Sequence, residues 1–443
     1  MNDFSRSSDL LFSILFEDDT SVFIDVTNYN SIMNTLNNEF EKSIKSDLRP
    51  ISLTSVLSKH LESIIGKWIL ESIDMNMDIH QYGGIKGSST THALVDMIQH
   101  WHSMIHNNET VRIMFIDFSK AFDSVNHNLL IQKFKDLDIH PLIIRWMHAF
   151  LHHREQRVKI GSEVSSWLTL HGGVPQGSWL APLCFIIYIS DISIDRKLKI
   201  HKYIDDITIT ENITSVQQSV MQESMDIILE WASSNSMKMN GRKTKEMVLS
   251  FKQNKLTIPP IACGGADIAR VSTFKILGVL FSGDMTWTNH CEFMYSKASL
   301  RLYYLRQLRR CGLPDSDILM YYKSVVRPVI EYACPAWHTG LTKQNSDMLE
   351  QIQRRAMRVI YPSSSYAEAC VMGHIDTLYA RREFLCRQFF RNMCHEDHKL
   401  NYLLHKRDPI QYNIRHQNPY DIQIPHTERF KNSFIMYALL HYV

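Results

Sequence analysis

Adjacent aspartates occur twice in this chain, as Asp18-Asp19 in "SILFEDDTSVFI" (13–24) and as Asp205-Asp206 in "KYIDDITIT" (202–210). Neighbouring carboxylates flanked by apolar, alternating residues repel each other and favour a bound cation. A third acid, Asp117, closes the mostly apolar run "VRIMFI" (111–116). If their strands are neighbours, an aspartate at a strand end and two at a hairpin tip make the carboxylate set of two-metal phosphoryl transfer. In that chemistry, ions about 4 Å apart activate an attacking hydroxyl and grip a triphosphate. Alone the signal is weak, because a strand-end aspartate also caps a following helix and acidic pairs also fill turns.

The elements around these acids are legible from periodicity. "VRIMFIDFSKAFDSVNH" (111–127) reads as a central strand that turns helical after Asp117, which sets that carboxylate at the rim of a sheet. "LKIHKYIDDITIT" (198–210) reads as two short alternating strands with Asp205 and Asp206 at the turn. Between them, residues 158–192 read as a hairpin, the loop "GGVPQGS", and a buried helix starting near Ser178 with Pro182 in its first turn. Upstream, "RPISLTSVLSKHLESIIGKWILESI" (49–73) starts extended and then spaces Leu57, Leu61, Ile64, Ile65 and Trp68 as a helix would. A glycine-punctuated loop then leads into the helical "THALVDMIQHWHSMI". Downstream, "FKILGVLFSGDMTW" (274–287) reads as another strand pair, after which the chain turns helical. The first of those helices carries Lys297, Arg301, Arg306, Arg309 and Arg310 with Tyr303 and Tyr304 beside them, a face suited to a phosphate backbone or simply to solvent.

Composition sets outer limits. With 443 residues, 44% of them apolar, the chain can bury a large core, and a net charge of +2 means that any polyanion must be held by local basic patches. Eight scattered cysteines without a C-x-x-C pair favour reduced thiols. Cys386, Cys394 and His395 lack the fourth partner and short spacing of a zinc site. The most apolar run, "LAPLCFIIYI" (180–189), is about half of what a membrane span needs and reads as buried core. No signal peptide or transmembrane segment is expected, which leaves nucleus or cytoplasm as the expected location.

In order, the chain presents "RPISLTSVLSKHLE", "FIDFSKAFDSVNH", "GGVPQGSWLAPLCF", "YIDD", "KTKEM" and "FKILGVLF". This succession resembles the reverse transcriptase of non-LTR, LINE-like retrotransposons, in the branch with jockey-type and chicken-repeat-type elements. The resemblance runs from about Arg49 to beyond Tyr361, well over half the chain. It implies an α+β right-hand polymerase: fingers over 45–110, an antiparallel-sheet palm over 111–288, a helical thumb over 289–362 and a helical tail over 363–443. The implied activity is RNA-directed DNA polymerisation with two Mg2+ ions, for which Mn2+ can substitute, using an RNA template, a DNA primer and deoxynucleoside triphosphates. No membrane is implied, and no protein partner is legible. Carried over residue by residue, Asp117, Asp205 and Asp206 become metal-binding carboxylates, with Asp205 the closer ligand and Asp206 acting more by charge. Asp123 becomes a structural partner. Phe122 takes the place of the ring under the sugar that excludes a ribose 2′-hydroxyl, though a core aromatic fits the same residue. Gln176 and Gly177 match the loop against the incoming nucleotide and template base. Arg49 matches the guanidinium on the triphosphate, and Lys243 the lysine that protonates or neutralises the leaving pyrophosphate. For these two cations a surface salt bridge is the plainer alternative.

Three features depart from the family's pattern. The lead "EKSIKSDLRPIS" is short where members carry a longer fingers segment, and "GGIKGSSTTHAL" offers Lys86 where many carry an arginine. No apurinic-type endonuclease or Cys-Cys-His-Cys knuckle is legible, so cutting of a genomic target is expected to come from elsewhere. Finally, "LFEDDTSVFIDVTNYNSIMNTLNNEFEK" resembles the family's own Asp-Asp hairpin and following helix, displaced ahead of the fingers. Residues 1–44 therefore read as a copied palm fragment, poorly packed because its sheet partners are missing. Its removal is expected to leave primer extension unchanged, which an assay of the shortened chain checks. Two functions fit this whole: an active polymerase, or a relic that binds nucleic acid without turnover. A two-metal nuclease fits poorly, because the "GVPQG" loop and the aromatic gate serve nucleotide addition.

Overall fold

Two apolar layers close on a four-stranded antiparallel sheet in the computed structural model, which describes residues 11–16, 19–24, 52, 54–73, 78–157, 159–160, 163–214, 219–254, 256–407 and 419–443. The chain divides into two units, Met1–Leu53 and Thr54–Val443. In the first, strands β1 (Leu11–Phe16) and β2 (Asp19–Ile24) pair antiparallel from Leu11↔Ile24 to Phe16↔Asp19. Asp18 and Arg49 lie outside the described residues.

The second unit begins with helices α1 (Val56–Ile73) and α2 (Thr90–His106), then strand β3 (Thr110–Ile116). Helices α3 (His127–Asp136), α4 (Pro141–Leu151) and α5 (Leu180–Tyr188) follow. The hairpin β4 (Leu198–Tyr203) and β5 (Asp206–Ile213), helix α6 (Met221–Ser234) and strand β6 (Lys245–Leu249) complete the sheet region, in the order β6-β3-β5-β4. Beyond it lie the hairpin β7 (Thr273–Ile276) and β8 (Val279–Ser282), then helices α7 (Thr288–Arg310), α8 (Asp315–Tyr321), α9 (Lys343–Ile360), α10 (Tyr366–Met372) and α11 (Leu378–Met393).

All seven residues of β3 are buried, its apolar residues in the two cores and Arg112 against the Glu246 carboxylate. Alternation sends Val111, Ile113 and Phe115 into a core shared with α2, α7, α9 and α11. Met114 and Ile116 enter a second core shared with α1 and α3 to α6. Each such side chain is worth about 1.5–3 kcal/mol when fully buried, so both sheet faces are committed, and the sheet's end is where polar groups can collect.

Three local expectations change. The chain does not turn helical directly after Asp117. Lys120 adopts φ +48°, and a short three-residue turn (Phe122–Ser124) precedes α3, whose N-cap Asn126 accepts from the amides of Asn128 and Leu129. The carbonyls of Phe122 and Val125 accept from the amides of Val174 and Gly173, tying this turn to the loop that follows. In α1 the inward face is Glu62, Ile65, Gly66, Ile69 and Ile73, while Leu57, Leu61 and Trp68 face outward. Buried Glu62 accepts from the Ser178 hydroxyl at 2.6 Å and the Trp179 amide at 2.8 Å, capping the start of α5. Within the stretch expected to be helical after residue 287, the chain from Asp315 breaks into α8, a wider turn over Tyr322–Val326 and a tight one over Arg327–Ile330, where Pro328 has no amide to donate.

Candidate active site

Register builds the site. The β3–β5 ladder ends at Ile116↔Ile207, so one further step sets Asp117 opposite Asp206, and across β4–β5 Tyr203 pairs with Asp206. Period-two alternation puts Asp117, Asp206 and Tyr203 on the sheet face that carries Phe115 and Thr208. The end of β3 is closed by the segment before β6: the Asn240 amide donates to the Asp117 carbonyl at 2.8 Å, and the Asp117 amide donates to the Thr244 hydroxyl at 3.3 Å. Lys243 arrives beside Asp117 by this route.

A cavity of about 390 Å³ opens there, with Asp117, Asp206, Tyr203, Arg242, Lys243 and Lys275 in its wall. Asp117 is half-buried and Asp206 exposed. Burial, with the negative charge of Asp206 nearby, raises the Tyr203 hydroxyl above its ordinary pKa. The β7–β8 hairpin forms the opposite lip. Its two-residue tip, Leu277 and Gly278, has φ of +44° and +86°, the left-handed pair of a type I′ turn. The Tyr332 hydroxyl fastens this tip by donating to the Leu277 carbonyl at 2.9 Å.

Asp205 is half-buried in the two-residue turn between β4 and β5. The other turn residue, Ile204, has φ +57°. A left-handed β-branched residue costs about 1–3 kcal/mol and persists only where its surroundings over-determine it.

Phe122, Gln176 and Gly177 gather at a second cavity of about 410 Å³, with Lys59 and Trp179. Phe122 is half-buried, its ring 5.1 Å from that of Phe185, so it is both a packed aromatic and a cavity wall. The loop carrying Gln176 lies tight on the Phe122 turn. A Cβ at Gly173, whose φ is +78°, would stand 2.9 Å from the Asp123 carbonyl oxygen, a place for glycine alone. Gln176 Nε2 donates to Asp123 Oδ1 at 3.3 Å.

The structure thus joins Asp117, Asp206 and Lys243 at one cavity and Phe122, Gln176 and Gly177 at another, with Asp205 in the turn next to the first. Tyr203, Arg242 and Lys275 line the first cavity without having been singled out as site residues. Their signal was present: Tyr203 shares a face with the acid it precedes by three, Arg242 is a cation just ahead of β6, and Lys275 is a cation within β7. Among the described residues no three His, Cys, Asp or Glu side chains are drawn together as a ready metal cage. Asp117 and Asp206 are nevertheless hard oxygen donors facing one cavity. A magnesium-type ion needs only one or two such carboxylates, taking its other ligands from water and phosphate.

Similar proteins extend this picture. The probable RNA-directed DNA polymerase from transposon BS of Drosophila melanogaster is 26% identical over 357 residues, covering 77% of this chain and 39% of that protein. The RNA-directed DNA polymerase from mobile element jockey of Drosophila funebris is 25% identical over 326 residues, covering 70% of this chain and 35% of that protein. The chain therefore spans about two fifths of these relatives or less. A solved Candida tropicalis telomerase in complex with a fragment of telomeric RNA is 11% identical, covers 88% of this chain and 57% of its own, and overlays at a TM-score of 0.43. The profile of one family matches residues 33–281, over half the sequence. By that match the chain belongs to the reverse transcriptase (RNA-dependent DNA polymerase) family.

Proposed function

We propose that the chain is an RNA-directed DNA polymerase that extends a DNA primer on an RNA template with deoxynucleoside triphosphates. The observation that carries this reading is that Asp117 and Asp206, each one step beyond the last β3–β5 pair Ile116↔Ile207, line one cavity with Lys243. The parts are fingers over 45–110, palm over 111–288, thumb over 289–362 and a tail over 363–443, with 1–44 a displaced palm fragment.

Asp117, Asp205 and Asp206 would hold two Mg2+ ions. Bound there, the ions would lower the pKa of the primer 3′-hydroxyl and neutralise charge on the triphosphate. The chain's own residues do the rest. Lys243, Arg242 and Lys275 set three cations around the two carboxylates, where they meet the phosphates, and Lys243 neutralises or protonates the pyrophosphate as it leaves. Gln176 and Gly177 receive the nucleotide, and Phe122 lies under its sugar. Arg49, outside the described residues, is assigned to the triphosphate from the sequence motif. The basic flank of α7, where Tyr303 and Tyr304 are half-exposed, would follow the duplex backbone.

Primer extension on an RNA template with Mg2+ tests this reading. Deoxynucleotide addition is the expected result, and addition in neither Mg2+ nor Mn2+ would leave binding without turnover. Phe122→Val gives a sharper prediction. Opening the ring wall is expected to cut discrimination against ribonucleotides by about 10–200-fold, the range that a methylene-scale steric contrast supports. Deoxynucleotide incorporation should change far less. Competition between dCTP and rCTP at one template position measures it, and unchanged discrimination would return Phe122 to a packing role against Phe185.

A further inference from the structure

The strained turn that carries Asp205 has a specific support. Gln81 is 1% exposed, and its side-chain Oε1 accepts two backbone amides, Ile204 at 2.9 Å and Gly83 at 2.9 Å. Around this contact the segment His80–Gly83 lies along the outer edge of β4. The Lys202 amide donates to the His80 carbonyl and the Tyr82 amide to the Lys202 carbonyl, each at 2.8 Å. The approach is as close as the backbone permits, since a Cβ on Gly83 would lie 2.8 Å from the Ile204 amide nitrogen. An amide at the first position of a two-residue hairpin turn has no ladder partner, and Gln81 supplies one.

Gln81 is itself fastened from the far end of the chain. Lys399 donates to its backbone carbonyl, and the same ammonium lies 4.3 Å from the centre of the Tyr82 ring. The Tyr82 hydroxyl donates to Asp96 at 2.5 Å. Buried Asp96 also accepts from the Tyr402 hydroxyl at 2.5 Å, from Lys199 at 2.7 Å and from His201 at 3.1 Å. Burial acts to raise the Asp96 pKa, and the His201 and Lys199 contacts outweigh it and hold the group well below the usual carboxylate range. Lys199 and His201 belong to β4, so one carboxylate ties α2, β4, the Tyr82 segment and Tyr402 together.

We propose that Gln81 is a positioning residue for the Asp205-Asp206 turn, and that Lys399 and Tyr402, near the C-terminal end, brace it in place. Its catalytic part rests on the polymerase reading above. Gln81 touches no reacting atom. It fixes the Ile204 peptide, and through it the direction of the two carboxylates that follow.

Gln81→Met, similar in volume without the acceptor, separates the possibilities, read by amide hydrogen exchange and by single-nucleotide incorporation. Expected are faster exchange at Ile204 and Asp205 with β3 unchanged, and a kcat reduced about tenfold or more while the KM for deoxynucleotide stays within about twofold, because misplacement of the carboxylates acts on the chemical step. Unchanged exchange at Ile204 would overturn the clamp. Faster exchange with unchanged kcat would overturn its catalytic role. If the natural chain adds no nucleotide at all, the polymerase reading fails, and exchange alone decides the clamp. Lys399→Met leaves the turn untouched and covers the case in which Gln81→Met does not fold. It should speed exchange over residues 81–83 and at Ile204, and no change there would overturn the C-terminal brace.

Discussion

Asp117→Asn is expected to lower the rate of single-nucleotide incorporation by at least about 10³-fold, roughly 4 kcal/mol of lost transition-state stabilisation. The substitution keeps shape and removes one of the two carboxylates that share the cavity, so an ion there loses an anionic oxygen ligand and holds its phosphate less well. Asp206→Asn should act alike, because the register makes the two residues cross-strand neighbours at the sheet's end. As members of one unit their effects should not add: the double replacement is expected to fall no further than the worse single one. Folding should move the other way. Like charges opposite each other on adjacent strands oppose pairing by some tenths of a kcal/mol, so either asparagine should leave the melting temperature equal or slightly higher. Rapid-quench incorporation together with thermal melting checks both halves. Asp117→Asn retaining a tenth of the activity or more would mean that the chemistry lies elsewhere, and a lowered melting temperature would recast Asp117 as a structural residue.

How far this site could be read from sequence depends on the range of the interactions that make it. Asp117 was legible because a mostly apolar run ending in an acid reads as a buried strand that stops at a sheet rim. The Asp205-Asp206 turn was legible because alternating residues flank it on both sides. That Asp206 stands opposite Asp117 was not, since the ladder runs between residues about ninety apart and no local pattern encodes register. The helix α1 was legible and its inward face was not, for a chemical reason. Periodicity counts apolar residues, and the inward position Glu62 is charged, held there by the Ser178 hydroxyl and Trp179 amide far along the chain. The same blindness hid Gln81, which looks like one more polar loop residue until Ile204 is seen to need an acceptor. Phe122 was open between gate and core, and the structure places it in a cavity wall with its ring packed on Phe185. Gln176 and Gly177, expected beside the incoming nucleotide, line a different cavity from the carboxylates, a separation that motif order could not show.

The largest effect on folding is expected at Glu246, away from both cavities. This carboxylate is 0% exposed and accepts from Arg112 Nε at 2.5 Å and from Arg270 Nε at 2.9 Å. Arg112 is 1% exposed and on β3, where its other donors reach the Pro259 carbonyl at 2.6 Å and the Ser219 hydroxyl at 3.3 Å. Glu246→Ala removes the carboxylate this buried guanidinium contacts, leaving Glu211, opposite it on β5, as the nearby negative charge, and breaking a buried pair in this way costs about 3–5 kcal/mol. Arg270→Ala should cost far less, because its half-exposed side chain already has water as an alternative partner. The loss at Glu246 is mainly that of a broken charge pair, so replacing both partners with apolar residues, Arg112→Met with Glu246→Leu, should recover most of it. Urea unfolding with the slope held constant reads all three. A cost below about 1 kcal/mol for Glu246→Ala would show that water or a local rearrangement solvates Arg112. If the double replacement fared no better than the single one, the pair would serve β3–β6 register rather than charge balance, since Glu246 sits in the strand that delivers Lys243 to Asp117.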